Sequence, residues 1–163
     1  MKEIIIAIDP GKAGGIAHME RGGDIQAVAM PKTPVDTVDY LRQFNVDCRV
    51  LFVYIEQPGT WVASGKAGPS VDSIVKLNIQ MAEMRGACMA MRYPVKMVTP
   101  RQWMTHFGSV PTGQSADAKR ARKEHIKGIV QEQCPDLKVT LKTADALGIL
   151  LSVTTGWRMS HDV

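Results

Sequence analysis

The sequence lacks the patterns that would place it in several large protein classes. Its three cysteines, Cys48, Cys88 and Cys134, follow no paired spacing. Neither a disulfide framework nor a cysteine-based zinc site is expected, and the thiols read as buried groups in a reducing compartment. The four histidines (His18, His106, His125 and His161) show no ligand spacing, and His125 stands among cations, so a histidine zinc site is not expected either. No apolar run approaches the roughly 20 residues that cross a bilayer. Met1-Lys2-Glu3 leads straight into an apolar segment, which is not the layout of a secretory signal. The expected location is cytoplasmic, in a bacterial or phage-infected cell, or else inside an organelle. There is no internal repeat and no low-complexity tract.

What remains is ordinary globular composition. Of 163 residues, 45% are apolar and 22% charged, enough for one domain spanning 1–163 and too few for two comfortable cores. The net charge of +4 says little by itself, but its distribution is uneven. Residues 119–127, KRARKEHIK, carry five Lys or Arg and one acid, whereas 44–58 carries almost no base. The chain opens with an apolar strand at 3–8, broken by Asp9-Pro10-Gly11, and GGIAHME and DIQAVAM read as two more strands around RGGD. A short helix is expected from Asp36 to Phe44, and an apolar strand, CRVLFVYIE, at 48–56. Residues 57–70 form a long loop rich in Gly, Pro and Ser, of the kind that is functional or disordered.

Residues 71–92 predict a long helix with Ser70 as N-cap. Its apolar residues spread over more than one stripe, which fits a core helix buried on several sides or a helix shared with a second subunit. Then come a strand at 95–100, a short helix in RQWMTHFG, a loop, and a basic helix from Ala116 to Gln133. DLKVT offers a short edge strand, and 142–157 a closing helix. Strands first, then strands alternating with helices, give an α/β domain with a mixed sheet.

Three acids stand where acids are costly. Asp9 ends the first strand, Glu56 ends the 48–56 strand, and Asp145 opens the apolar face of the last helix. Each has a local explanation: Asp9 as a turn former before Pro-Gly, Glu56 as a loop residue, Asp145 as a partner of Lys142. Yet a buried carboxylate must be paired, hydrogen-bonded or bound to a cation. If the two strands are parallel neighbours, Asp9 and Glu56 lie side by side, and the last helix can bring Asp145 over them. Oxygen ligands without His or Cys favour Mg²⁺, with Mn²⁺ able to substitute.

These residues resemble a family. IAIDPGKAGGIA, VYIEQP, VTPRQW, ARKEHIKGIV and TADALGILLS, in that order, resemble the motifs of the RuvC-type Holliday junction resolvases. The loop after Glu56 and the P-x-x-W spacing are similar to the phage and chloroplast branch. The resemblance implies a ribonuclease-H-like fold, with a mixed five-stranded sheet flanked by helices. It further implies a Mg²⁺-dependent endonuclease that acts as a homodimer on four-way DNA junctions. By position Asp9, Glu56 and Asp145 carry over as metal ligands, and Lys123 as the lysine near the scissile phosphate. One departure stands out. The family's fourth ligand, an acid three residues before the last Asp, is replaced here by Lys142, and Asp136 is a distant substitute.

Lys119, Arg122 and Lys123 recur at helical spacing, with Arg120 and Lys127 on adjacent faces; beside a carboxylate site they read as a phosphate track, elsewhere as a solvated face. Lys12 at the Asp9 turn, Trp61 and Lys66 in the 57–70 loop, and Arg101 are further candidate DNA contacts. Trp103 is read as core. Two other readings stand beside the nuclease. One is a non-catalytic or weakly active branched-DNA binder, motivated by Lys142. The other is a phosphate-binding activity of the sugar-kinase and actin-like type, suggested by D-P-G-x-x-x-G, although the chain is short for that two-lobed form.

Overall fold

Apolar side chains on both faces make β1, Lys2–Asp9, a central strand. Ile4, Ile6 and Ile8 face one buried layer, and Ile5 and Ala7 the other. The computed structural model describes residues 1–57, 70–113 and 115–158. In it β2 (Gly15–Glu20) runs antiparallel to β1, and β3 (Ile25–Ala29) antiparallel to β2. β4 (Cys48–Glu56) lies parallel to β1 on its other side, and β5 (Val95–Val98) parallel to β4. The result is a mixed five-stranded sheet in the order β3-β2-β1-β4-β5.

Helices cover both faces. α1 (Pro34–Arg42), α2 (Phe44–Asp47) and α3 (Val71–Ala90) enclose Ile4, Ile6, Ile8, Val53 and Ile55. α4 (Pro100–Met104), α5 (Ala116–Gln133) and α6 (Ala144–Arg158) enclose Ile5, Ala7, Met19 and Val98. A register shift between Ile4 and Ile5 decides which residues meet at the end of the sheet. Ile4 pairs with Val50 but Ile5 with Phe52, so Leu51 is an extra residue on β4. Ile8 therefore pairs with Ile55, and Asp9 and Glu56 come next in step. Without the bulge Glu56 would fall one residue beyond Asp9, on the other side of the sheet.

Several expected boundaries move, each for a local reason. The first helix begins at Pro34, not Asp36, because Thr33 caps it by accepting from the Asp36 N–H at 3.1 Å. It ends at Arg42, and Phe44 starts the separate turn α2. Ser70 caps α3 as expected, accepting from the Ser73 N–H at 3.2 Å. That helix stops at Ala90, two residues early, ahead of the left-handed Arg92 (φ 60°). The expected edge strand at 136–140 does not form. The Gln131 side chain meets that backbone instead, donating to the Leu137 carbonyl at 2.8 Å and accepting from the Val139 N–H at 3.2 Å. The closing helix starts at Ala144, where Thr140 and Thr143 exchange backbone-to-hydroxyl hydrogen bonds of 3.0 and 3.3 Å. α3 is not a core helix: only Met84 and Cys88 are buried, while Val71, Val75, Ile79 and Met89 are exposed.

Backbone approaches around the Asp9 turn leave no room for a side chain. A Cβ on Gly14 would lie 2.0 Å from the Asp9 carbonyl oxygen, and one on Gly15 would lie 2.6 Å from the Lys142 carbonyl oxygen. Gly128 in α5 faces open space. The same substitution should therefore act with opposite signs. Gly14→Ala should cost about 1–3 kcal/mol through overpacking, whereas Gly128→Ala should stabilise by about 0.5–1 kcal/mol through helix propensity. Urea midpoints of the two variants check this.

Candidate active site

The chain ends of β1 and β4 carry Asp9 and Glu56 to the same edge of the sheet, on the face covered by α4, α5 and α6. α6 lays its first turn over that edge and supplies Asp145. α5 buries Ile126 and Val130, and this anchored face directs Lys123, one turn earlier, toward the acids. Its ammonium nitrogen lies 2.9 Å from Asp145 Oδ2 and 3.7 Å from Asp9 Oδ2. Asp9 and Glu56 stand close enough for one carboxyl to donate to the other. On the far side of Glu56, the buried Trp103 indole Nε1–H donates to Oε1 at 2.9 Å.

The electrostatics follow from this crowding. Asp9 is only 8% exposed. Burial first, and then the charges of Glu56 and Asp145, push its pKa up to about 8 against the pull of Lys123. Burial likewise raises Glu56, although the Trp103 hydrogen bond works the other way. For Lys123, burial disfavours the ammonium, but Asp145 and Asp9 outweigh it and hold its pKa above the ordinary lysine value. Three carboxylates thus share one cation, and the cluster favours more positive charge.

That donor set fits a hard divalent cation: oxygen ligands only, close together, two of them held back from ionising by burial and by the charge of neighbouring acids. Among the described residues no three His, Cys, Asp or Glu side chains form a ready-made cage. The Lys123 ammonium stands among the acids instead.

The other candidates scatter. Lys142 is exposed, makes no ion pair among the described residues and lies in the turn before α6, so it does not stand among the carboxylates. Asp136 lines a cleft with Gly22, Gly23 and Asp24, at the opposite end of β2 from Gly15, and does not replace the missing acid. Lys12 is exposed and lines an open cleft of about 770 Å³ with Asp9, Gly11, Lys76 and Lys123. On α5, Lys119 and Arg120 precede Lys123 by one turn, Arg122 is half-buried, and Lys127 pairs with Glu124 at 3.7 Å. Arg101 is exposed on α4. Trp61 and Lys66 lie outside the described residues. The contact that sequence reasoning missed is Trp103 to Glu56. Trp103 is core, as expected, but it also holds an acid of the cluster, and the P-x-x-W spacing was its only trace.

No family model matches the chain, and no curated protein matches its sequence. Solved structures do. Thermus thermophilus RuvC in complex with a Holliday junction substrate is similar over 97% of this chain and 96% of that one, with a TM-score of 0.56 at 17% identity. A second Thermus thermophilus RuvC structure is similar over 96% of each chain, with a TM-score of 0.51 at 18% identity. The fold is therefore the α/β, ribonuclease-H-like fold of RuvC.

Two outcomes are expected. The folded protein binds the Asp9 proton far more tightly than the unfolded chain, whose Asp titrates near about 4. The stability this contributes is complete below about pH 4 and is lost as pH rises toward 8, because over that range the native state holds the extra proton. In EDTA the melting temperature of Asp9→Asn should thus gain on that of the parent steadily from pH 5 to pH 8, and parallel curves would contradict it. Lys142→Ala, changing an exposed side chain, should not shift the melting temperature by a measurable amount.

Proposed function

We propose that the chain is a divalent-metal-dependent endonuclease that resolves four-way DNA junctions by paired nicking. The observation that carries this reading is the convergence of Asp9, Glu56, Asp145 and Lys123 at one sheet edge. The similarity to a RuvC structure holding a Holliday junction supports the choice of substrate. Asp9, Glu56 and Asp145 would hold Mg²⁺, with Mn²⁺ as a substitute. Such ions, when bound, supply an activated water and stabilise charge in phosphodiester hydrolysis.

The chain's own residues have separable tasks in this reading. The Lys123 ammonium, on the rim of the cluster, can turn to a phosphate and neutralise the charge that builds on it. Gly11, with φ 123°, and Gly14 keep the turn after Asp9 low enough for a DNA backbone to approach. Lys12, which lines the same cleft as Asp9, and Lys119, Arg120, Arg122 and Arg101 would contact phosphates, which fix position without reading sequence. Trp61 and Lys66 would add further DNA contacts. Two strands must be cut, so two copies are needed, and α3 offers the surface. Val71, Val75 and Ile79 recur every four residues on its exposed side, at 65%, 49% and 52% exposure.

One observation favours a second reading, binding of branched DNA without cleavage: Lys123 already neutralises part of the cluster. Incubation with a synthetic four-way junction and a linear duplex, in Mg²⁺, Mn²⁺ or EDTA, separates the two. Symmetric, metal-dependent nicks in the junction alone are expected, reduced at least about 10³-fold in Asp9→Asn while junction binding persists. Binding without nicks in any metal supports the second reading, and loss of both sinks the proposal. Ile79→Asp should convert a dimer to monomers in sedimentation and abolish the pairing of nicks while leaving the fold intact.

A further inference from the structure

We infer that Trp103 is a positioning residue that sets the place of Glu56 relative to Asp145. The inference rests on the reading of these acids as metal ligands. A buried indole carries one N–H that must find an acceptor. Any nearby carbonyl, hydroxyl or carboxylate oxygen can serve. Here the acceptor is Glu56 Oε1 at 2.9 Å, with Trp103 only 1% exposed. One carboxylate oxygen is thereby tied, and the group cannot turn freely about its terminal bond. Oε2 carries no such tie to the indole.

The other edge of the ring is seated on α6. A Cβ at Gly148 would come within 2.8 Å of Trp103 Cζ3 and 3.4 Å of Cε3, so only glycine admits the indole there. Gly148 lies three residues after Asp145 on the same helix, one turn away on the same side. The indole therefore spans from the β4 acid to the helix that carries the α6 acid. Its own mounting is firm. Phe107 packs edge-on against it at 6.0 Å, and Thr99 and Gln102 close a capping box at the start of α4. After Glu56 the chain is pinned to β5 by the Gln57 N–H, which donates to the Val98 carbonyl at 2.7 Å. A phenylalanine would lose the donor together with part of the ring that packs against Gly148, so its melting curve is read beside its affinity. An alanine at Gly148 would keep the donor and move the ring.

The test is Mn²⁺ titration calorimetry on the whole protein without DNA, together with the indole N–H resonances of ¹⁵N-labelled protein and melting curves. Trp103→Phe should weaken Mn²⁺ binding by about tenfold or more. Gly148→Ala should weaken it in the same direction and shift one indole resonance, which Glu56→Gln should also shift. A folded Trp103→Phe that binds Mn²⁺ like the parent overturns the inference, since a merely structural tryptophan would lower the melting temperature alone. If Trp103→Phe does not fold, unchanged affinity in Gly148→Ala overturns it. A parent protein that binds no Mn²⁺ overturns both this inference and the nuclease reading. A parent that binds Mn²⁺ but nicks no junction sinks the nuclease reading alone, and the Trp103→Phe affinity still decides the inference.

Discussion

The Lys123 ammonium set against Asp9 and Asp145 is the contact around which this end of the molecule is arranged. Three carboxylates from β1, β4 and α6 meet where the sheet ends, and taking such charges out of water is costly unless cations accompany them. Burial first, and then the charge of two further acids that a single lysine cannot balance, keep the proton on Asp9 up to about pH 8. The fold sustains this frustration through ordinary means. Isoleucines on both faces of β1 fix the strand that ends in Asp9. Ile126 and Val130 fix the helix that delivers Lys123, and Trp103 clamps Glu56. A cluster so poorly neutralised is a poor stability device, and this argues that its upkeep serves the chemistry proposed for it.

Much of the fold was legible in the chain because strand and helix periodicities depend on local sequence. The apolar runs at 3–8 and 48–56, the acids that end them, the Ser70 cap and the basic helix could all be read residue by residue. What could not be read is how elements meet. The extra residue Leu51 leaves no mark in the alternation of CRVLFVYIE, yet it decides that Glu56 falls beside Asp9. The failed edge strand at 136–140 was lost to one side chain, Gln131, which competes for its backbone groups. α3 misled because counting apolar residues does not tell which of them face the sheet. Only Met84 and Cys88 do so fully.

Lys142 illustrates the same limit. Counted from Asp145 along a continuous helix, it would fall one turn back on the same face and intrude on the acids. The helix begins at Ala144, and Thr140 and Thr143 turn the chain before it, so the helical count does not apply. Its backbone carbonyl, not its ammonium, is what packs inward, close against Gly15. The fourth acid that the resemblance would imply is thus absent without being replaced by an opposing charge.

This leaves three acids and one lysine, with Lys12 on the same cleft and Lys119 and Arg120 one turn back on α5, and that pattern constrains how DNA could be handled on the proposed reading. Lys119, Arg120 and Lys12 attract a phosphate backbone at long range, but Asp145, and Asp9 and Glu56 once ionised, repel it at the last few ångströms. A phosphate can settle there only when the cluster has gained positive charge or when Lys123 leaves Asp145 for the phosphate. Removing Lys123 from the acids raises their mutual repulsion, which in turn favours the entry of another cation. Charge balance thus links substrate approach to cation uptake, so that each should tighten the other. A second lysine among the acids would weaken that linkage by neutralising them in advance, and Lys142, exposed and outside the cluster, does not do so.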